Sequence, residues 1–126
     1  MTTKQKRVLD VGNCPPDHVA IRSMIQKHFS AQVVQAHGLE DTLEALGKDR
    51  FDLVLVNRKL DCDYSDGLGV IQAIKSQADL PAVPVMMITN HAEHQQRAIH
   101  AGAEMGFGKL QLADPVSIER LAQYLE

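Results

Sequence analysis

The chain has no tryptophan, and its two tyrosines and three phenylalanines make up only 4% of its residues. Little is therefore present to stack on a flavin or another planar cofactor. Two cysteines, Cys14 and Cys62, are too few for a disulfide framework and read as free thiols. No apolar run approaches the ~20 residues of a membrane span, and the N-terminus lacks the apolar core of a signal peptide. The resulting expectation is a cytoplasmic protein without membrane contact. Positive charge is also scarce, with 13 Lys and Arg against 16 Asp and Glu and a net charge of -3. The nearest thing to a basic run, Lys4-Gln5-Lys6-Arg7, reads as a solvated flank before the first strand, so direct nucleic-acid binding is not expected.

What is present suits one domain with a proper core: 126 residues, 44% of them hydrophobic and 23% charged. Leu53-Val54-Leu55-Val56 is an unbroken apolar run between Asp52 and a polar, acidic loop, the pattern of a strand buried on both faces of a parallel sheet. Asn57 is the residue that leaves this strand. Similar strands are predicted at Arg7–Val11, Gln32–Ala36, Val85–Ile88 and Met105–Gly108. Between them run amphipathic helices. The first opens at Pro16, carries Ile21, Met24 and Ile25 and ends near Ser30. The second carries Leu39, Leu43 and Leu46 and stops at Gly47. Gly67–Ser76 and His91–Ala101 give two more, and Asp114-Pro115 caps the last. Strict alternation of strand and helix implies an α/β fold, a doubly wound parallel sheet with helices on both faces, in a single domain over residues 1–126.

Several strand-end motifs, in order, resemble those of a response-regulator receiver domain (CheY-like). Phe51-Asp52-Leu53-Val54-Leu55-Val56 resembles the strand that leads to the family's phosphoacceptor aspartate. Asp66-Gly67-Leu68 resembles the opening of its third helix. Pro84-Val85-Met86-Met87-Ile88-Thr89 matches its fourth strand with the terminal Ser/Thr, and Ala101-Gly102-Ala103 followed by Lys109 matches its late turn and lysine. The resemblance implies a flavodoxin-like sheet of order 2-1-3-4-5 with its pocket at the switch point between the first and third strands. It also implies a signalling role in a two-component phosphorelay, with protein partners and no enzymatic activity of its own.

The departures from that pattern are chemical. The phosphoacceptor position is Asn57, the acidic pair is Gly12 and Asn13, and the switch aromatic is Gly106. Phosphoryl transfer needs a carboxylate nucleophile and a Mg²⁺ ion held by hard, anionic oxygens. An amide has its nitrogen lone pair delocalised into a neutral carbonyl. The expectation is therefore that Asn57 is not phosphorylated, that no cofactor is required and that Mg²⁺ binds weakly or not at all. Thr89 and Lys109 are retained; without a phosphoryl group, Lys109 is expected to turn to Asn57 Oδ1 or to Asp61, Asp63 or Asp66. A homodimer through the fourth helix, fifth strand and fifth helix is a further expectation from the resemblance.

Other readings stay open at this point. Asn13, Asn57 and Asn90 end strands on one sheet edge and could form a polar pocket for a small molecule, or simply serve as turn formers. A loop aspartate among residues 61, 63 and 66 could accept a phosphoryl group instead of Asn57. The same loop has acidic spacing reminiscent of a calcium site but lacks its glutamate, and Cys14, Cys62, His91 and His94 lack paired zinc-site spacing. Asp10 lies inside the first strand, where a carboxylate requires a partner, a raised pKa or an exposed strand end. His18, His28, His37 and His100 read as surface or boundary residues. A flavin-binding flavodoxin is disfavoured because Pro15 and Pro16 remove two N–H donors from its phosphate loop.

Overall fold

Each apolar run becomes a strand of one parallel sheet. The computed structural model describes residues 5–126; Lys4, the first residue of the basic flank, lies outside the described residues. The strands are β1 (Lys6–Val11), β2 (Ala31–Ala36), β3 (Leu53–Asn57), β4 (Val85–Ile88) and β5 (Glu104–Phe107), in the order β2-β1-β3-β4-β5. All four pairings are parallel. The crossovers are α1 (Pro15–His28), α2 (Leu39–Lys48), α3 (Leu68–Ser76) and α4 (Ala92–His100), and α5 (Pro115–Leu125) closes the chain after a short 3₁₀ turn at Lys109–Gln111. The expected topology is therefore the observed one.

Side chains alternate across a strand, so the sheet divides its apolar residues between two layers. Leu9, Val11, Val54, Val56 and Met87 pack with Val70, Ile71 and Ile74 of α3 and Ala98 of α4. Val8, Leu53, Leu55, Met86, Ile88 and Phe107 pack with Ile21 and Ile25 of α1 and Leu121 and Leu125 of α5. Phe107 is 1% exposed and belongs to this second layer.

Element ends differ from the sequence expectation in ways that have local causes. Helix α1 stops at His28 because Phe29 is already extended, with φ -138°. Gly47 lies inside α2, which ends one residue later where Asp49 becomes extended. Gly67 is the N-cap of α3, so that helix begins at Leu68, and α4 is one residue shorter than expected at each end. Strand β5 runs Glu104–Phe107 and leaves Gly108 outside. Asp114 caps α5 as expected, its side chain accepting from the Val116 N–H at 2.9 Å.

The last strand pair holds an irregularity. Met86 faces Glu104 and Ile88 faces Phe107, so β5 carries one extra residue there. The buried side chain of Gln95 on α4 fills the broken ladder. Its Nε2 donates to the Met87 carbonyl at 2.9 Å and the Thr89 carbonyl at 3.3 Å, and its Oε1 accepts from the Gly106 N–H at 2.9 Å. The amide acts as a substitute peptide joining β4, β5 and α4. Gly106 is sterically required, since a Cβ there would overlap the Met87 carbonyl. Replacing Gln95 with Leu keeps the bulk but strands these polar groups. The expected cost is about 2–3 kcal/mol in urea denaturation, with faster hydrogen exchange at the Gly106 amide.

Candidate functional site

In sheets of this kind the ligand crevice lies beyond the C-terminal ends of the strands. Here that edge carries Gly12 and Asn13 after β1, Asn57 at the end of β3, Thr89 after β4 and Lys109 after β5. Sequence reasoning brought these residues to one edge, and the structure does so. It also shows what each one touches.

Asn57 is engaged as a donor. Its Nδ2 donates to the Gly12 carbonyl at 3.2 Å and to the Lys59 carbonyl at 2.7 Å. The amide therefore ties the β1 and β3 loops together. Gly12 also accepts at its carbonyl from the Asp61 N–H at 3.0 Å. Leu60, only 2% exposed, lies over Gly12. Gly12 has φ +79°, and a Cβ built on it would come within 2.5 Å of Leu60 Cδ2. Both the backbone and Leu60 thus oppose an acidic side chain at residue 12. Leu60 is a functional residue that sequence reasoning missed; the available signal was a lone apolar side chain in an otherwise polar loop.

Asn13 does not join Asn57 and Asn90 in a shared pocket. It is fully buried, and its Nδ2 donates to Asp10 Oδ1 while its own Oδ1 has no hydrogen-bond partner. Asp10 is also fully buried and pairs through Oδ2 with His18 Nδ1 at 2.7 Å. His18, expected at the surface, is 7% exposed. Its spacing with Ile21 and Ile25 places it on the buried stripe of α1, a signal that was present in the sequence. Burial pushes the Asp10 carboxyl above its ordinary value of 3.8, and the bonds from His18 and Asn13 only partly oppose this.

Lys109 does not turn to Asn57 or to the loop aspartates. Its Nζ pairs with Asp17 Oδ2 of α1 at 2.6 Å. This bond holds the Asp17 carboxyl below its ordinary value. The loop carboxylates are committed elsewhere: Asp61 to His37 at 3.0 Å, Asp63 to the Ser65 hydroxyl at 2.6 Å, and Asp66 to the Leu68 N–H at 2.9 Å. The ionic preference for Asp17 follows from position, because the turn that begins at Lys109 faces the first turn of α1 while the acidic loop folds away over Gly12. Thr89 accepts from the His91 N–H at 3.3 Å, at the start of α4.

Asn57, Arg58, Lys59, Ile88, Thr89, Asn90, His91 and Lys109 line an open groove of about 250 Å³. None of the residues lining it is a carboxylate. Among the described residues no group of three or more His, Cys, Asp or Glu side chains is placed to hold a metal ion. Cys62 donates to the His37 carbonyl and Cys14 to Asp17, so the two thiols belong to different clusters.

The two displaced carboxylates have opposite effects on stability. The folded pKa of Asp10 is raised, so its contribution falls as pH rises from the ordinary carboxylate value through the raised one. The folded pKa of Asp17 is lowered, so its contribution is present above the ordinary value and lost as pH falls through the lowered one. Breaking the buried pair with His18→Leu or Asp10→Val should cost about 3 kcal/mol or more, whereas the double variant should recover most of the loss. Urea denaturation of the three variants checks this. Asp10→Val/His18→Leu should also lose the part of the pH profile that belongs to Asp10.

The response regulator receiver domain family model matches residues 16–125. No curated protein matches the chain. Among solved structures, the chain is similar to the BeF3-activated N-terminal receiver domain of RstA from Klebsiella pneumoniae, with TM-score 0.79 and 20% identity over 96% of this chain and 99% of that one. A receiver domain (CheY-like) from Methylobacillus flagellatus gives TM-score 0.75 and 13% identity over 98% and 100%. NtrX from Brucella abortus gives TM-score 0.72 and 24% identity over 95% of this chain, which spans only 25% of the length of NtrX. These identities support the shared fold, while the family match extends from α1 through α5. The chain belongs to the response regulator receiver domain family, the receiving module of two-component signalling.

Proposed function

We propose that this domain is a pseudo-receiver: it takes no phosphoryl group and signals through protein contacts, without catalysis. The observation that carries the reading is the role of Asn57. Its amide supplies two N–H donors to carbonyl oxygens and offers no carboxylate nucleophile. Gly12 and Asn13 supply no anionic oxygen for Mg²⁺, and the nearby carboxylates of Asp10 and Asp17 are committed to His18 and Lys109. Loss of the switch aromatic supports the same reading, because Gln95 and Gly106 bind β4, β5 and α4 through buried hydrogen bonds. A domain held this way presents one surface continuously.

The partners in this reading are proteins of a two-component pathway in the cytoplasm, with neither nucleic acid nor membrane in contact. Self-association through α4, β5 and α5 belongs to the same proposal. Met105 on β5, Leu110 after it and Val116 on α5 are 38%, 86% and 48% exposed, an apolar set suited to a protein interface. Treatment of the wild-type domain with a small phosphodonor and Mg²⁺ should leave its intact mass, thermal midpoint and sedimentation behaviour unchanged. A phosphoryl adduct accompanied by a change in association would remove the basis for constitutive signalling.

A further inference from the structure

The apolar stripe of α2 runs past the edge of the core. Its leucines recur at 39, 43 and 46, the spacing of one helical face. Leu46 is 5% exposed, Leu43 is half-buried against the core, and Leu39, in the first turn, is 44% exposed. Leu39 and Leu43 are the apolar lining of a groove of about 570 Å³ between the start of α2 and the acidic loop, which contributes Cys62 and Asp63. That volume falls within the range of about 300–1,000 Å³ found for binding clefts. Hydrogen bonds already fix its walls. Asp41 accepts from the His37 and Gly38 N–H groups, both at 2.8 Å. Cys62 donates to the His37 carbonyl at 3.2 Å, and Asp63 accepts from the Ser65 N–H at 2.9 Å. A ligand would therefore meet a preorganised surface.

The charge around these leucines has one sign. Glu40, Asp41 and Asp63 line the groove, and no Lys or Arg does. Glu40 makes no ion pair among the described residues. Bonds from Ser65 hold the Asp63 carboxyl below its ordinary value, so it stays ionised. Glu40 and Asp41 lie in the first turn of α2 and outweigh the partial positive charge of that helix end. This sign repels nucleic acid and anionic lipid, and it opposes pairing of the groove with the same groove on a second copy. An apolar strip with a carboxylate rim fits a segment that is apolar on one face and basic beside it. We propose that this groove docks a cationic amphipathic helix of a partner protein, with apolar side chains on Leu39 and Leu43 and Lys or Arg side chains facing Glu40 and Asp63. The proposal deepens the reading that this domain acts through protein contacts, and it uses elements other than α4, β5 and α5.

The test is titration of the wild-type domain at pH 7.5 with a synthetic helical peptide of leucine and lysine, its leucines at i, i+4 spacing, followed by amide NMR shifts. A second peptide carries glutamate in place of every lysine. The expected result is a saturable shift centred on residues 37–43 and 61–64 with the lysine peptide alone, weakening as salt is raised. Leu39→Gln and Glu40→Lys change exposed side chains; each should weaken binding by about tenfold while retaining a folded spectrum. Asp79→Lys makes the same change of charge as Glu40→Lys in the exposed loop before β4, at the other end of the sheet, and should bind like wild type. Absence of a saturable shift, equal binding of the two peptides, or wild-type affinity in Leu39→Gln and Glu40→Lys overturns the docking groove. So does a shift of the same resonances with protein concentration alone, which would make a second copy the occupant. The titration contains no phosphodonor, so its failure removes this groove and leaves the pseudo-receiver reading standing.

Discussion

The arrangement at the sheet edge depends on a donor at residue 57. Two carbonyl oxygens, those of Gly12 and Lys59, converge on the Asn57 side chain. An amide satisfies them; an ionised carboxylate would add negative charge beside two acceptors and satisfy neither. The bond to Lys59 holds the start of the acidic loop, and the bond to Gly12 holds the end of β1. With both in place Leu60 is carried over Gly12 and buried, where it opposes any side chain at residue 12. Asparagine at 57, glycine at 12 and leucine at 60 therefore form one mutually dependent set.

Negative charge has not vanished from the neighbourhood so much as moved away from the groove. One carboxylate lies a layer deeper, where Asp10 is held by His18 and Asn13 on the α1 side of the sheet. Another lies outward on α1, where Asp17 holds Lys109. Each ties α1 to a different part of the sheet edge, and each has the opposite dependence on pH. What remains facing the groove is cationic. On the opposite side of β4, Gln95 closes the gap left by the bulge and anchors α4 without an aromatic ring.

The fold was legible because it is written in periodicity. Apolar runs at Leu53–Val56 and Val85–Ile88 and the stripes of α1, α3 and α5 are local signals, and alternation of strand and helix leaves few topologies. The positions of the site residues were legible for the same reason: strand ends in such a sheet share an edge. Their partners were not. Lys109 and Asp17 are 92 residues apart in sequence, and choosing Asp17 over Asp61, Asp63 or Asp66 requires knowing which way the acidic loop folds. Leu60 decides that: an apolar side chain in a polar loop signals burial, but not that it packs over Gly12. The Asp10 carboxylate could be flagged from sequence alone, but its partner His18 became apparent only from the helical face that α1 buries. Gly106 could be read as a missing ring, whereas the bulge that requires glycine there depends on the register of β4 and β5.

The central claim is that the amide at residue 57 is structurally required, so that the pocket is not one substitution away from a phosphorylatable receiver. Its most direct test is Asn57→Asp, measured for stability and for intact mass after exposure to a small phosphodonor with Mg²⁺. The account predicts a loss of about 1–3 kcal/mol, because the Lys59 carbonyl loses its side-chain donor, the Gly12 carbonyl keeps only the Asp61 N–H and a negative charge is set beside both, together with no appreciable phosphoryl adduct. An Asn57→Asp protein as stable as wild type and readily phosphorylated with Mg²⁺ would contradict it.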